Sequence, residues 1–385
     1  MSCALTFGEF MLPRAEHADK WCVVACDQYT SRPDYWEAED ARIGGAPSTL
    51  RLICPEAFLG EADARMDGIA AASREYAEKA LRTLEGGVLV TRTTSCGVRH
   101  GLVCLADLEK YDFSLPSSLI RATEGTVVER IPPRLAVREV SVLDVSHVIC
   151  LIDDPAGTVI EPLVGKGEKL YDVALPDGGR LEGRLVGDTA PVLSALTALE
   201  SAAQKAGKPF VLVGDGNHSL AAAKALYEKY KAAGDPRAGR ARYALVEAEN
   251  LRSDGVTFLP IHRVVYGCPD MLSYLESGLS GGGKVRVICG GAERDIAAPS
   301  DPADAYSAVQ RIIDESGASV DYIHGDEELR RICGERSDAL GVLMPPLGKD
   351  MLFSYVARRG VLPRKSFSLG EAEDKRLYME CRYIG

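Results

Sequence analysis

An acid, an amide and an imidazole stand close together in Val211-Leu-Val-Gly-Asp-Gly-Asn-His-Ser219, where Gly214 and Gly216 bracket Asp215 and Asn217 and His218 follow. A carboxylate can orient a hydroxyl or hold a metal ion, and an imidazole beside free backbone N–H groups can hold phosphate. The apolar run Pro209 to Val213 reads as a buried strand, and the Ala-, Leu- and Lys-rich run His218 to Ala233 reads as a helix. The junction would set these side chains at a helix start, where unpaired N–H groups and the helix dipole favour an anion. The glycines permit backbone angles closed to other residues and let a ligand come close. A plainer reading of Asp-Gly-Asn is a capped Asx turn, which needs no ligand.

Basic residues gather beside prolines elsewhere. Arg121-Ala-Thr-Glu-Gly-Thr opens a segment that continues through Arg130, Arg134 and Arg138. The last three have helical spacing, but Pro132 and Pro133 argue against a continuous helix, so extended or turning backbone is expected to display them. Guanidinium forks suit phosphate or carboxylate oxygens; the plainer alternative pairs them with acids such as Glu129 and Glu139. Glu124, next to Gly125, is a candidate to hold a hydroxyl or a metal. Leu259-Pro-Ile-His-Arg and Leu362-Pro-Arg-Lys-Ser each set basic residues close behind a proline. His262 is either a core histidine or, with Arg263, an anion contact. Gly278-Leu-Ser-Gly-Gly-Gly-Lys-Val285 has phosphate-loop spacing, but Val285 stands where a hydroxyl belongs and a helix precedes it instead of a strand, so a turn is expected.

These motifs, with the opening Val-Ala-Cys-Asp-Gln-Tyr-Thr and Ala-Pro-Ser-Thr-Leu-Arg-Leu, resemble the bacterial domain of unknown function family 1015 over nearly the whole chain. That family's motif commonly reads Asp-Gly-His-His-Arg; here Asn217 and Ser219 depart from it. The Asp-Gly-x-His core also resembles that of the ParB/sulfiredoxin-like free-serine kinases, which phosphorylate L-serine with a nucleotide. The resemblance implies ATP or ADP and Mg²⁺, with Asp215, His218 and Glu124 as catalytic residues. Gly214, Gly216, Asn217, Ser219, Arg121, His262, Arg263, Arg364, Lys365 and Ser366 are candidate nucleotide or phosphate contacts.

The elements that must position these residues mix helices and strands. Expected are a strand Trp21 to Cys26, a helix Tyr35 to Arg42, a strand near Leu50 to Ile53, a helix Ile69 to Leu84 stopped by Gly86-Gly87, and a hairpin Gly87 to Leu105. A strand His147 to Asp153, a helix Pro191 to Ala206 and strands Arg242 to Glu247 and Leu259 to Tyr266 surround the junction. Helices Ala303 to Ser316, Glu327 to Arg336 and Gly348 to Arg359 alternate with short strands near the end. This implies an α+β protein with a ParB/sulfiredoxin-like core, residues 1–268 holding the Asp-Gly-Asn-His site and 269–385 forming an added α/β region.

With 385 residues, net charge -11 and pI near 5.2, the chain is large enough for more than one core and ill suited to coating nucleic acid. No apolar run spans a bilayer and no secretory signal is evident, so a cytoplasmic protein is expected. The 11 cysteines are odd in number and lack paired Cys-x-x-Cys knuckles, which fits reduced thiols. The expected function is nucleotide-dependent phosphotransfer to a small hydroxyl substrate, free serine or a similar metabolite. The alternative is a non-catalytic nucleotide-sensing module acting on a protein partner. Homo-oligomerisation stays open.

Overall fold

The computed structural model describes residues 2–24, 29, 30, 32–94, 96–175, 179–371, 375 and 377–385. The chain divides into two compact units: Met1–Ala122, Thr126–Val256 and Glu371–Gly385 form the first, Thr123–Gly125 and Thr257–Gly370 the second. This differs from the expected boundary after residue 268, because the strand Phe258–Tyr266 is central to the second unit's sheet, and because the chain's end returns to the first unit.

In the first unit, strands β1 (Leu5–Thr6), β2 (Gly8–Pro13), β3 (Leu81–Thr94), β4 (Gly97–Asp107), β5 (Ile120–Ala122), β7 (Ile149–Ile152), β8 (Lys169–Ala174), β9 (Arg180–Val186), β10 (Val211–Asp215) and β11 (Tyr243–Asn250) form one sheet; the short β6 (Leu143–Asp144) lies outside it. Its order is β5-β10-β7-β11-β4-β3-β9-β8, with β1 on β4 and β2 on β3. Strand alternation sends neighbouring side chains to opposite faces. Leu102, Cys104 and Ala106 enter one apolar cluster with the helices Ala190–Lys205 and Asn217–Ala233, while Val103 and Leu105 enter the other. Farther along that second face, Arg92 and Arg99 lie directly opposite each other, and each finds an acid from β11: Arg92–Glu247 and Arg99–Glu249, both at 2.8 Å and buried. Gly101 makes room for this, since a Cβ there would lie 2.1 Å from Glu247 Oε1. The described cysteines are free thiols.

Several expected elements shift. The chain makes a helix Ala62–Glu75 and a further turn Tyr76–Ala80, then enters β3, so Gly86 and Gly87 lie inside a strand instead of stopping a helix. Thr49–Arg51 is a 3₁₀ turn, not a strand. Trp21 closes a short helix Ala18–Trp21, and residues 25 and 26 of the expected strand lie outside the described residues. Pro132 and Pro133 do not prevent a helix: Ile131–Val140 is helical, because prolines in a first turn remove only N–H groups that have no helical partner.

The second unit carries β12 (Phe258–Tyr266), β13 (Gly283–Cys289), β14 (Ala292–Ala298), β15 (Ser319–His324), β16 (Ala339–Leu343) and β17 (Phe367–Leu369). The sheet runs β14-β13-β16-β12-β15, with β17 on the start of β12, and every pairing is antiparallel. Helices Pro302–Ser316, Asp326–Glu335 and Leu352–Arg359 accompany it. The mixed α+β class expected from the sequence is therefore the observed one, with this unit's sheet antiparallel throughout. As expected, Gly278–Val285 leads from a helix, Met271–Gly278, into β13. No helix among the described residues is long and apolar enough to cross a membrane.

Candidate functional site

Strand β10 is fixed by β5 on one side and β7 on the other, and its register with β7 slips between Val213 and Asp215, where Gly214 supplies the irregularity. The chain then turns at Gly216 with φ +82 into the helix Asn217–Ala233. Only glycine suits this position: a Cβ would lie 2.5 Å from the His147 carbonyl oxygen. The expected strand–turn–helix junction is thus in place.

Asp215 Oδ1 accepts the Gly216 N–H at 2.8 Å, while Oδ2, shielded from solvent, faces Lys375 Nζ at 3.2 Å and His147 Nε2 at 3.9 Å. Burial pushes the Asp215 carboxyl up, but Lys375, His147 and the Gly216 amide together hold it below the ordinary carboxylate range. Burial, reinforced by Arg92 and Arg99, drops His147 to about 4, so this imidazole is neutral near pH 7 and Lys375 is the acid's charged partner. Lys375 arrives on the returning C-terminal segment. Tyr378 anchors that segment at Val148 through two hydrogen bonds, 2.7 and 2.8 Å, and Cys381 pairs with Met11.

His218 Nε2 accepts the Val127 N–H at 3.1 Å. That nitrogen therefore carries no proton for a phosphate, and the Gly216 amide expected to hold phosphate is engaged by Asp215. Ser219 Oγ accepts from Arg138 Nη2 at 3.0 Å, and Arg138 is ion-paired with the buried Asp144. Asn217 Oδ1 is buried without a hydrogen-bond partner among the described residues. Arg121, opposite Leu212, gives its Nε proton to the Ser118 carbonyl at 2.9 Å.

The remaining expected residues belong to the second unit. Lys365 has φ +58, a left-handed angle unusual for lysine, and this turn aims successive amides inward. The Lys365 N–H donates to Glu124 Oε2 at 2.7 Å, and those of Ser366 and Phe367 to Oε1 at 2.9 and 3.3 Å. Burial raises the Glu124 carboxyl against the pull of these amides. The nest that an external anion was expected to use thus holds the chain's own acid. Arg263 is wholly buried, donates to the carbonyls of Ile261 and Lys365 at 2.6 and 2.8 Å, and lies over Tyr306 and Tyr322. His262 accepts the Met344 N–H through Nδ1 at 3.0 Å and meets Asp326 through Nε2 at 2.9 Å. In both residues the polar groups are engaged within the chain, the core alternative for His262. Arg364 is exposed and lies over the Tyr322 ring.

Sequence reasoning missed Lys375 and His147. Arg138 has helical spacing in the sequence, but its place beside Ser219 depends on the helix Ile131–Val140, against which Pro132 and Pro133 argue.

The chain belongs to the family described as protein of unknown function (DUF1015), which matches residues 8–278. No curated protein matches it. Among solved structures it is similar to SbnI with a C-terminal truncation from Staphylococcus aureus (TM-score 0.40, 11% identity, covering 69% of this chain and 82% of that one). It is also similar to a free serine kinase in complex with AMP (TM-score 0.38, 12% identity, 69% and 86% covered). A third is a conserved hypothetical protein from Pyrococcus furiosus (TM-score 0.35, 11% identity, 69% and 89% covered). The likeness is loose at each of these scores.

Proposed function

We propose that the first unit has a ParB/sulfiredoxin-like core that binds ATP or ADP at the Asp215–Ser219 junction and transfers a phosphoryl group to a small hydroxyl compound, free serine or a similar metabolite. The observation that carries this reading is Asp215 itself, an acid held ionised beside Lys375 at the start of a long helix. In phosphoryl transfer the protein mainly positions groups and offsets charge. Asp215 would accept the hydrogen bond of the acceptor hydroxyl. Lys375 and Arg138 would offset charge on the transferring group, and first-turn amides, which have no carbonyl partner within the helix, would hold phosphate oxygens.

Mg²⁺ has no ready-made cage: no group of three or more His, Cys, Asp or Glu side chains among the described residues could hold a metal ion. Asp215 offers an oxygen that already faces Lys375, so any Mg²⁺ would take most of its ligands from the nucleotide and water. No step is assigned to it.

The saturation of Glu124 by three amides favours a second reading, a nucleotide-sensing module that acts on a protein partner without turnover. Calorimetric titration with ATP and ADP, followed by product analysis with a panel of hydroxyl acceptors, separates the two. Binding with turnover supports the kinase, binding without turnover the sensor, and absence of both overturns the nucleotide site.

A further inference from the structure

The first unit also contains a cavity of about 340 Å³ that shares no residue with the junction and whose lining includes Leu12, Arg14, Glu16, Arg82, Tyr171 and Met379. Strands β2 and β3 set Leu12 opposite Arg82, and the Arg14 N–H continues the ladder to the Ala80 carbonyl. Residues two apart on a strand share a face, so Arg14 and Arg82 are diagonal neighbours on one face, with backbones roughly 7 Å apart. Both side chains are exposed, and neither has an ion-pair partner among the described residues; Arg14 Nε gives one hydrogen bond to the Lys79 carbonyl at 3.1 Å. Glu16 lines the same space without pairing with either.

Like charges set side by side on a sheet are unfavourable unless an anion lies between them. Beneath them the wall is fixed. A Cβ on Gly183 would lie 2.2 Å from the Tyr171 ring, so that glycine lets the ring lie flat across the strand, and the Tyr171 hydroxyl donates to Glu380 at 2.8 Å. The volume is at the small end of ligand pockets, which run from roughly 300 Å³ upward.

We propose that this cavity binds a small dianion, a dicarboxylate or a phosphate monoester, with its charged oxygens on Arg14 and Arg82 and its carbon skeleton against Leu12 and Met379. Guanidinium forks match both kinds of oxygen pair. Titration of the full chain with succinate and with glycerol phosphate, at ionic strength held constant with sodium chloride, tests it. Saturable binding of either is expected, and the preferred anion names the source. Arg82→Gln and Arg14→Gln alter exposed side chains and should each weaken binding at least tenfold. A response no different from chloride for both anions, or one that survives in the double variant, overturns the proposal.

Discussion

At the junction in the first unit, Asp215 takes one backbone N–H and turns its other oxygen toward Lys375; in the second unit, Glu124 takes three N–H groups and forms no ion pair among the described residues. Both acids sit where amides converge, and the surroundings move their carboxyls in opposite directions, Asp215 down and Glu124 up. A carboxylate whose lone pairs are filled by backbone acts as a fastener, here tying together segments 241 residues apart. One that keeps an oxygen facing a lysine ammonium can still serve a ligand. Donor count alone therefore does not mark a reactive acid; what matters is which lone pairs stay available and what charge faces them.

The largest expected effect tests the Asp215 side of this contrast. Asp215→Asn keeps the shape but removes the charge, so turnover should fall by roughly 10²–10⁴-fold while nucleotide affinity changes little. A coupled assay for nucleotide consumption measures it, and unchanged turnover would remove Asp215 from the chemistry.

On the Glu124 side the effect should appear as stability. Glu124→Gln puts an amide where three N–H donors need acceptors, at a cost of roughly 2–4 kcal/mol. Urea unfolding reads this directly, and a wild-type midpoint would show that the fastener does not matter.

The two acids should also have opposite pH slopes. Asp215 lies below its ordinary 3.8 in the fold, so its stabilisation is present above that value and is lost as the pH falls through the folded value. Glu124 lies above its ordinary 4.5, so its contribution is complete below 4.5 and declines as the pH rises toward the folded value. Buried Glu380, raised to about 7, acts in the Glu124 sense between 4.5 and about 7. Unfolding curves from pH 3 to 8, a range set by these ordinary values, should show the wild-type advantage over Asp215→Asn growing with pH, and the advantage over Glu124→Gln shrinking. Parallel curves would contradict the contrast.

The strand–turn–helix around Asp215 was legible because its signals are local: an apolar run, paired glycines and a helix-forming run lie next to one another in sequence. Lys375 was not legible, since it follows Glu371-Ala-Glu-Asp in a charged stretch that reads as solvated surface, and only the return of the C-terminal segment brings it to Asp215. Arg263 misled for a related reason. A basic residue on an apolar strand in an acidic chain looks like a ligand contact, yet aromatic rings and backbone carbonyls satisfy it internally. The proline pair before Arg134 misled through position: the same residues that break a helix interior are tolerated in its first turn.

The smallest effect concerns how the junction holds an anion without relying on the His218 proton. Arg138 is clamped by Asp144 through one nitrogen and reaches Ser219 Oγ with another, so its guanidinium stands beside the first turn of the helix. If that turn binds phosphate, the serine hydroxyl aims the guanidinium, and the charge pair with Asp144 holds it close. Ser219→Ala removes one hydrogen bond and leaves the charges in place, a loss of roughly 0.5–1.5 kcal/mol, which corresponds to about a two- to twelvefold weaker nucleotide affinity. Arg138→Gln should weaken it further and flatten its dependence on salt, because a neutral amide no longer contributes a screened attraction. Titrations at low and high salt check both variants; a Ser219→Ala protein that binds as tightly as wild type, with Arg138→Gln equally unaffected, would move the anion away from this helix start.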